Sequence, residues 1–242
     1  MITKSKLKLI KSLNRKKIRE EHQLFIVEGY KSIRELLNSG LIAEDILIVS
    51  GNHQLDDLES EIISAKDMNI LSNLKTAPGY LAVFKMNQKQ ELPKTGKIIA
   101  LDDVKDPGNL GTIIRLADWF GIEHIVCSNE TVDVYNSKSV QASMASLARV
   151  QVHYTHLKEY LSNSLLPIFP TAMGGTSIYK EKLPEQGIII MGNESHGISE
   201  ELLAIGTPIS IPPYGKLQNT ESLNVAMATS VILGEWLRSS SI

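Results

Sequence analysis

The sequence has little that would cross-link it or anchor it in a membrane. Among 242 residues there is one cysteine, Cys127, so no disulfide can form within the chain. Without a cysteine pair or a histidine and cysteine cluster, a metal site is not expected. The longest apolar runs, 98–101 and 188–191, are far shorter than the about 20 residues of a membrane span. The N-terminus has no apolar core of a secretory signal, so we predict a cytoplasmic protein.

Acidic side chains are absent from the first 19 positions, although the whole chain has a net charge of −2. This segment contains eight basic residues, namely Lys4, Lys6, Lys8, Lys11, Arg15, Lys16, Lys17 and Arg19. Phosphate backbones attract such segments. A solvated helix face is the alternative interpretation.

The pattern of the first 90 residues predicts a small domain of mixed helices and strands. We expect helices over 3–21 and 31–40 and strands over 24–29, 45–50 and 79–86, with a mixed stretch at 53–75. Residues 87–96 are polar, contain a proline and a glycine, and lack periodicity, which is typical of a linker. We therefore divide the chain into domains at 1–90 and 91–242.

The second part alternates strands with helices. The predicted strands are 97–103, 124–128, 166–173, 187–194 and 207–212, and the predicted helices are 109–121, 137–148 and 222–237. The strands are apolar over their whole length, which indicates a parallel sheet covered by helices on both faces. The fold class is therefore α/β.

The first candidate site segment, 101–121, is predicted to form a strand, a tight loop and a helix. Asn109 follows a Pro-Gly turn and is a plausible helix N-cap. Arg115 lies among apolar residues and needs an anionic partner. This partner is either a ligand phosphate near the helix N-terminus or a structural ion-pair partner. The candidates for an ion pair are Asp102, Asp103 and Asp106.

The second candidate segment, 188–199, is a buried strand that leads into a glycine-containing loop. Ligands bind at the carboxyl ends of parallel strands, where Gly192 allows close approach and Glu194 supplies a carboxylate. A simple turn is the alternative interpretation. His196 is interpreted as an exposed loop residue.

The third candidate segment, 209–236, contains a strand, a loop and a long helix. Ser222 is a plausible N-cap, and Asn224 in the first turn could orient a ligand. Capping without any chemistry is the alternative. The helix is apolar nearly all round, which predicts burial in the core or in a subunit interface.

Taken together in this order, the three segments resemble the SpoU/TrmH family of ribose 2′-O-methyltransferases in the SPOUT superfamily. The matching motifs are Asn-x-Gly-x-x-x-Arg at 109–115, Gly-x-Glu-x-x-Gly at 192–197, Ile-Pro at 211–212 and Ser-Leu-Asn-Val at 222–225. The resemblance spans about 97–238. Residues 16–37 and 78–83 also resemble the family's small N-terminal substrate-binding domain, which is similar to ribosomal RNA-binding proteins.

The resemblance implies a deep C-terminal trefoil knot, S-adenosylmethionine as cofactor, a homodimer and RNA as substrate, with ribosomal RNA favoured. The implied catalytic residues are Arg115, Asn109, Glu194, Ser222 and Asn224. The implied cofactor-binding residues are Thr171, Met173, Gly192, Ile211 and Leu223. The basic segment would contact RNA through Lys16, Lys17 and Arg19.

Alternative functions remain open at the level of sequence. They are transfer RNA ribose methylation, base methylation, a non-catalytic RNA-binding protein and dinucleotide binding. The sequence lacks the Gly-x-Gly-x-x-Gly fingerprint that dinucleotide binding would require.

The connection at 216–220, between the last predicted strand and the final helix, is longer than is usual in the SpoU/TrmH family.

Overall fold

The computed structural model describes residues 2–52, 58–88, 90–215 and 222–240. The longer connection at 216–220 therefore lies outside the described residues. The described helices and strands are, in chain order, α1 (Lys4–Ser12), α2 (Lys16–His22), β1 (Leu24–Glu28), α3 (Tyr30–Asn38), β2 (Ala43–Val49), β3 (Glu61–Ile63), α4 (Ala65–Leu71), β4 (Tyr80–Lys85), β5 (Lys97–Leu101), α5 (Pro107–Trp119), β6 (His124–Ser128), α6 (Ser137–Ser143), β7 (Gln151–Thr155), α7 (Leu157–Ser162), β8 (Ile168–Ser177), β9 (Gly187–Met191), α8 (Glu200–Leu203), β10 (Ile209–Ser210) and α9 (Val225–Ser240).

Two compact units make up the chain. The first contains Met1–Gln88 and Asp133–Ala148, and the second contains Lys89–Val132 and Arg149–Ile242. The predicted boundary after residue 90 lies next to the division after Gln88. The segment 133–148 was expected in the second domain, but it packs with the first unit.

The first unit has a four-stranded sheet in the order β1-β4-β2-β3. Strand β4 is antiparallel to β1 and to β2, while β3 is parallel to β2. Its core contains Ile10 and Leu13 from the N-terminal helical region. The predicted single helix over 3–21 is wrong, because α1 ends at Ser12. The Ser12 hydroxyl donates to the Leu9 carbonyl, and serine and asparagine side chains compete in this way with helical backbone bonds.

Side-chain contacts explain why 133–148 belongs to the first unit. The Tyr135 ring lies 4.7 Å from the ring of Phe25 in β1, centroid to centroid. The backbone N–H of Asn87 donates to the Tyr135 hydroxyl at 3.0 Å, and its side chain donates to the Leu147 carbonyl at 3.2 Å. These partners are far apart in sequence, so periodicity does not reveal them.

Arg19 also joins the N-terminal segment to the segment 133–148, and it is not available to RNA. It is only 4% exposed. Its guanidinium donates to the Leu13 carbonyl at 2.8 Å and to the Asp133 carboxylate at 2.5 Å. The predicted RNA contact through Arg19 is therefore wrong, because a buried charge needs a local counter-charge and this one has it. Lys16 and Lys17 are exposed.

The second unit has a six-stranded parallel sheet in the order β10-β8-β9-β5-β6-β7. This confirms the predicted parallel α/β sheet. Strand β7 and helix α7 were not predicted, because β7 at the sheet edge has only one buried residue and no clear pattern. In the described part of the chain, no helix is long and apolar enough to cross a membrane.

The buried Arg19–Asp133 ion pair predicts a large effect on stability. Removing one partner of a buried pair leaves the other charge uncompensated, so Arg19→Met should lower the free energy of unfolding by about 3 kcal/mol. Lys16→Met is the matched control, since the Lys16 ammonium is exposed and 3.9 Å from Glu20, and should change it by under about 0.5 kcal/mol. Urea denaturation measures both. Equal effects of the two substitutions would contradict this assignment.

Candidate active site

The candidate site lies where strands β5 and β9 end side by side. Leu101 and Met191, the last residues of these parallel strands, are register partners. The chain runs from β5 towards β6 and β7 on one side, and later returns through β8 to β9 on the other. Such a reversal of strand order opens a crevice at the carboxyl ends of the strands, where ligands bind in parallel α/β sheets.

The loop after β9 is tightly closed. The backbones of Asn193 and Gly197 exchange two hydrogen bonds, of 2.9 and 3.0 Å. A Cβ on Gly192 would lie 2.3 Å from the Gly197 carbonyl carbon, so only glycine fits there. The Asn193 amide donates to the backbone carbonyl of Asp103 at 2.7 Å, which joins this loop to the loop after β5.

Glu194 joins the same two loops through its carboxylate. Its two oxygens accept hydrogen bonds from the backbone N–H groups of Lys105, at 3.2 Å, and Asp106, at 3.1 Å. One oxygen also accepts from the Asn109 side chain at 2.9 Å. A carboxylate with this many donors is held in one position.

The third candidate segment is joined to this network through Asn109. The Asn224 amide donates to the Asn109 side-chain oxygen at 3.0 Å. The Asn224 side-chain oxygen in turn accepts from the N–H groups of Ala226, at 3.0 Å, and Met227, at 3.3 Å, at the start of α9. A continuous chain of hydrogen bonds therefore runs from Glu194 through Asn109 to Asn224.

The hydrogen bonds also determine the charge state of Glu194. Partial burial by itself raises the pKa of this carboxyl group. The hydrogen bonds donated by Asn109 and by the backbone, including that of Lys105 and Asp106, outweigh burial, and the pKa of Glu194 lies below its usual value of 4.5. The group is therefore anionic at neutral pH.

Two predicted helix caps are wrong by a few residues. Helix α5 begins at Pro107 and is capped by Asp106, whose carboxylate accepts from the Asn109 N–H at 2.8 Å. At the start of α9 the side chain that accepts from the backbone is Asn224, not Ser222. An aspartate directly before a proline is a helix-start signal, and it could have identified Asp106 from the sequence.

Arg115 and Ser222 do not contact this network. Both side chains are exposed, and neither has a hydrogen-bond partner within the described ranges. The alternative of a structural ion pair for Arg115 is wrong. Its three candidate partners have other partners. Asp102 accepts a hydrogen bond from the Ser199 N–H, Asp103 forms an ion pair with Lys105, and Asp106 caps α5.

The predicted cofactor residues lie within β8, directly after β9 and β10, and just before α9. The Thr171 hydroxyl donates to the Ile190 carbonyl of β9 at 2.9 Å. Gly192 directly follows β9 and Ile211 directly follows β10. Met173 and Leu223 expose large apolar side chains, 80% and 53% accessible.

Similarity to known proteins agrees with this geometry. The SpoU rRNA Methylase family model matches residues 96–234, and a model of the MRM3-like substrate binding domain matches residues 4–82. The chain belongs to the SpoU rRNA methylase family. The SpoU match includes the whole Glu194–Asn109–Asn224 network, and the second match lies within the first unit.

Individual relatives of this SpoU family member are similar over nearly the whole chain. The 23S rRNA (guanosine(2553)-2′-O)-methyltransferase RlmP of Bacillus subtilis is 31% identical over 238 residues, 94% of each chain. A solved TrmH-family structure from Porphyromonas gingivalis is 34% identical, with a TM-score of 0.88 over 99% of this chain and all of that one. An AdoMet-bound rRNA methyltransferase from Sinorhizobium meliloti is 25% identical, with a TM-score of 0.83 over 98% and 96% of the two chains.

The lowered pKa of Glu194 predicts a pH-dependent contribution to stability. The fold favours the ionised carboxyl group, so its contribution is complete above the usual pKa of 4.5 and is lost as the pH falls through the folded-state value. Glu194→Gln should therefore lower the urea midpoint at pH 7, and the difference from wild type should shrink below pH 4.5. Glu185→Gln, an exposed carboxylate of the same unit, controls for the loss of one surface charge. A midpoint difference that grows on acidification would contradict the network.

Proposed function

We propose that this protein uses S-adenosylmethionine to methylate a ribose 2′-hydroxyl of ribosomal RNA. The observation that carries the proposal is the Glu194–Asn109–Asn224 network, since it brings the three family motifs into one polar site. Similarity to the Bacillus subtilis 23S rRNA 2′-O-methyltransferase over 94% of the chain supports the choice of ribosomal RNA. A ribosomal RNA substrate also supports a cytoplasmic location.

The residues around β8, β9 and β10 fit an adenosyl ligand. The backbone after β9 and β10 offers groups for hydrogen bonds, and the exposed side chains of Met173 and Leu223 offer apolar surface for an adenine ring. We infer that Thr171, Met173, Gly192, Ile211 and Leu223 hold S-adenosylmethionine. We also infer that the chain after β9 forms the trefoil knot of the SPOUT superfamily, as family membership favours.

S-adenosylmethionine, when bound, supplies a methyl group that the adjacent sulfonium already activates. The protein therefore has to position the ribose oxygen in line with that methyl group and to stabilise the loss of the hydroxyl proton. Glu194 is unsuited to take this proton, because its oxygens already accept several hydrogen bonds and its pKa is lowered. Its role is to hold Asn109, and through it Asn224, in place.

Arg115 is the candidate for stabilising charge on the substrate. Its exposed guanidinium makes no hydrogen bond to any residue in the described ranges, so it is available to a ligand. Arginine stays protonated in proteins, and its planar group matches a phosphate. We infer that Arg115 binds an RNA phosphate beside the reacting ribose and stabilises the developing alkoxide. Ser222, also exposed, is proposed to contact the ribose.

A homodimer is part of the proposal. Helices α5 and α9 pack against each other and leave three large apolar side chains exposed: Trp119 at 84%, Met227 at 63% and Val231 at 39%. Large apolar side chains exposed on two packed helices are typical of a subunit interface. Sedimentation of the protein with the mass of one chain at micromolar concentration would contradict the dimer.

The first unit is proposed to bind the RNA substrate, since it matches a substrate-binding domain model. Lys16 and Lys17 remain its candidate phosphate contacts, whereas Arg19 is buried.

The role of Arg115 predicts a selective loss of activity. Arg115→Ala should reduce transfer of a labelled methyl group to RNA by at least about 100-fold, because an oriented cation at the developing charge is lost. Binding of S-adenosylhomocysteine, measured by calorimetric titration, should stay within about twofold. Arg238→Ala, which removes an arginine paired with Glu235 on α9, is the matched control and should keep wild-type turnover. Wild-type turnover in Arg115→Ala would refute the assignment.

The two exposed lysines of α2 predict a change in the salt dependence of RNA binding. Each lysine that pairs with a phosphate adds about one unit to the slope of log affinity against log salt concentration. Lys16→Ala combined with Lys17→Ala should therefore weaken binding and flatten this slope. An unchanged slope would exclude α2 from the RNA interface.

The substrate itself can be identified by mapping 2′-O-methyl groups across the total RNA of a strain that lacks this protein and of its parent. We expect one site to disappear from ribosomal RNA. Loss of a site from transfer RNA alone would contradict the proposed substrate but not the chemistry.

A further inference from the structure

Exposed Tyr30 and half-buried Arg34 and Tyr80 form a cluster at one end of the first unit's sheet. The ring centroids of Tyr30 and Tyr80 are 5.3 Å apart with an edge-to-face angle of 65°. The guanidinium carbon of Arg34 lies 5.8 Å from the Tyr30 centroid. We call these three residues the tyrosine–arginine cluster.

The strand pairing places the cluster at a sheet end. Strand β1 ends at Glu28 beside Leu81, near the start of its antiparallel neighbour β4. The chain then turns at Gly29, with a φ of 95° that other residues rarely adopt, and the Gly29 N–H donates to the Tyr80 carbonyl at 3.0 Å. The two tyrosines therefore come from a helix start and a strand start that are joined by this hydrogen bond.

A buried carboxylate anchors the segment that leads to Tyr80. Glu28 is 6% exposed. It accepts from the Asn73 N–H at 2.8 Å and also from the Ser72 hydroxyl. Because Glu28 is the last residue of β1, the segment that follows α4 is fixed against the same strand that leads into Tyr30. The cluster is consequently preorganised, which lowers the entropic cost of binding a flat ligand.

The two ends of the sheet differ in charge. Tyr30 is 40% exposed; exposed Lys31 follows it directly, exposed Lys75 lies five residues before Tyr80, and exposed Glu35 follows Arg34. Residues of β2 that pair with the far end of β4 line a cavity of about 880 Å³ instead. Among the described lining residues, the carboxylates are Glu44, Asp45, Glu59 and Glu61, against one cation, Lys6. A polyanion is repelled by the acidic end, whereas the end with the tyrosines presents Lys31 and Arg34 against Glu35.

We propose that the tyrosine–arginine cluster binds an unpaired base of the RNA substrate by stacking, while neighbouring lysines contact the flanking phosphates. This inference rests on the proposed function and names a recognition surface for it. Exposed aromatic rings and arginine planes are what proteins use to stack unpaired RNA bases. Paired bases are already stacked in a duplex, so the surface selects single-stranded positions.

The test measures binding of the full chain to a short fluorescein-labelled oligoadenylate by fluorescence anisotropy over a range of salt concentrations. Tyr30→Ala should weaken binding about tenfold, as expected for loss of one stacking partner, and should leave the salt slope unchanged. Tyr30→Phe, which keeps the ring, should bind like wild type. Lys31→Ala should instead flatten the slope by about one unit. Ile62→Ala, which removes an exposed apolar side chain from β3 at the sheet edge, is the matched control and should have no effect.

Several results would overturn the proposal. They are wild-type affinity in Tyr30→Ala, equal weakening by Ile62→Ala, equal binding of a duplex of the same length, or no binding of oligoadenylate by the wild-type chain. Methyl transfer to total RNA is measured on the same preparations. Wild-type transfer together with any of these results would reject the surface and leave the proposed function standing, whereas absence of transfer by the wild-type chain would reject the function itself.

Discussion

The Glu194 carboxylate holds the candidate active site together. It accepts hydrogen bonds from the loop after β5 and from Asn109, which in turn accepts from Asn224 at the start of α9. These residues are far apart in the chain, and the parallel sheet brings two of the loops to the same edge. Because each of these hydrogen bonds orients the next donor or acceptor, the first turn of α9 is linked to a carboxylate that follows β9.

This arrangement limits which chemistry each group can perform. A carboxylate whose lone pairs are occupied and whose pKa is lowered is a good anchor and a poor base. Arg115 is outside the network and exposed, so it can contact a ligand without disturbing the loops. In the proposed function, the network residues determine the geometry and Arg115 supplies the charge.

Much of the fold follows from local patterns, whereas the errors at the N-terminal helix and at Arg19 have different physical causes. Strands β1, β5, β6 and β9 were predicted because each is a short apolar run with clear boundaries. The helix over 3–21 was wrong because α1 ends at Ser12, whose hydroxyl donates to the Leu9 carbonyl in the preceding turn. Arg19 looks like its basic neighbours in sequence, and its burial depends on Asp133, a partner more than a hundred residues away.

The sequence by itself determined the parallel α/β sheet, the family resemblance and the residue types of the site, because hydrophobic spacing and short motifs are local properties of the chain. Only the tertiary structure decided which of these residues contact one another. It joined Asn109, Glu194 and Asn224, left Arg115 exposed, buried Arg19, and paired Tyr30 with Tyr80 at the end of a sheet. Such contacts depend on strand order and register, which bring distant segments together and which no local pattern specifies.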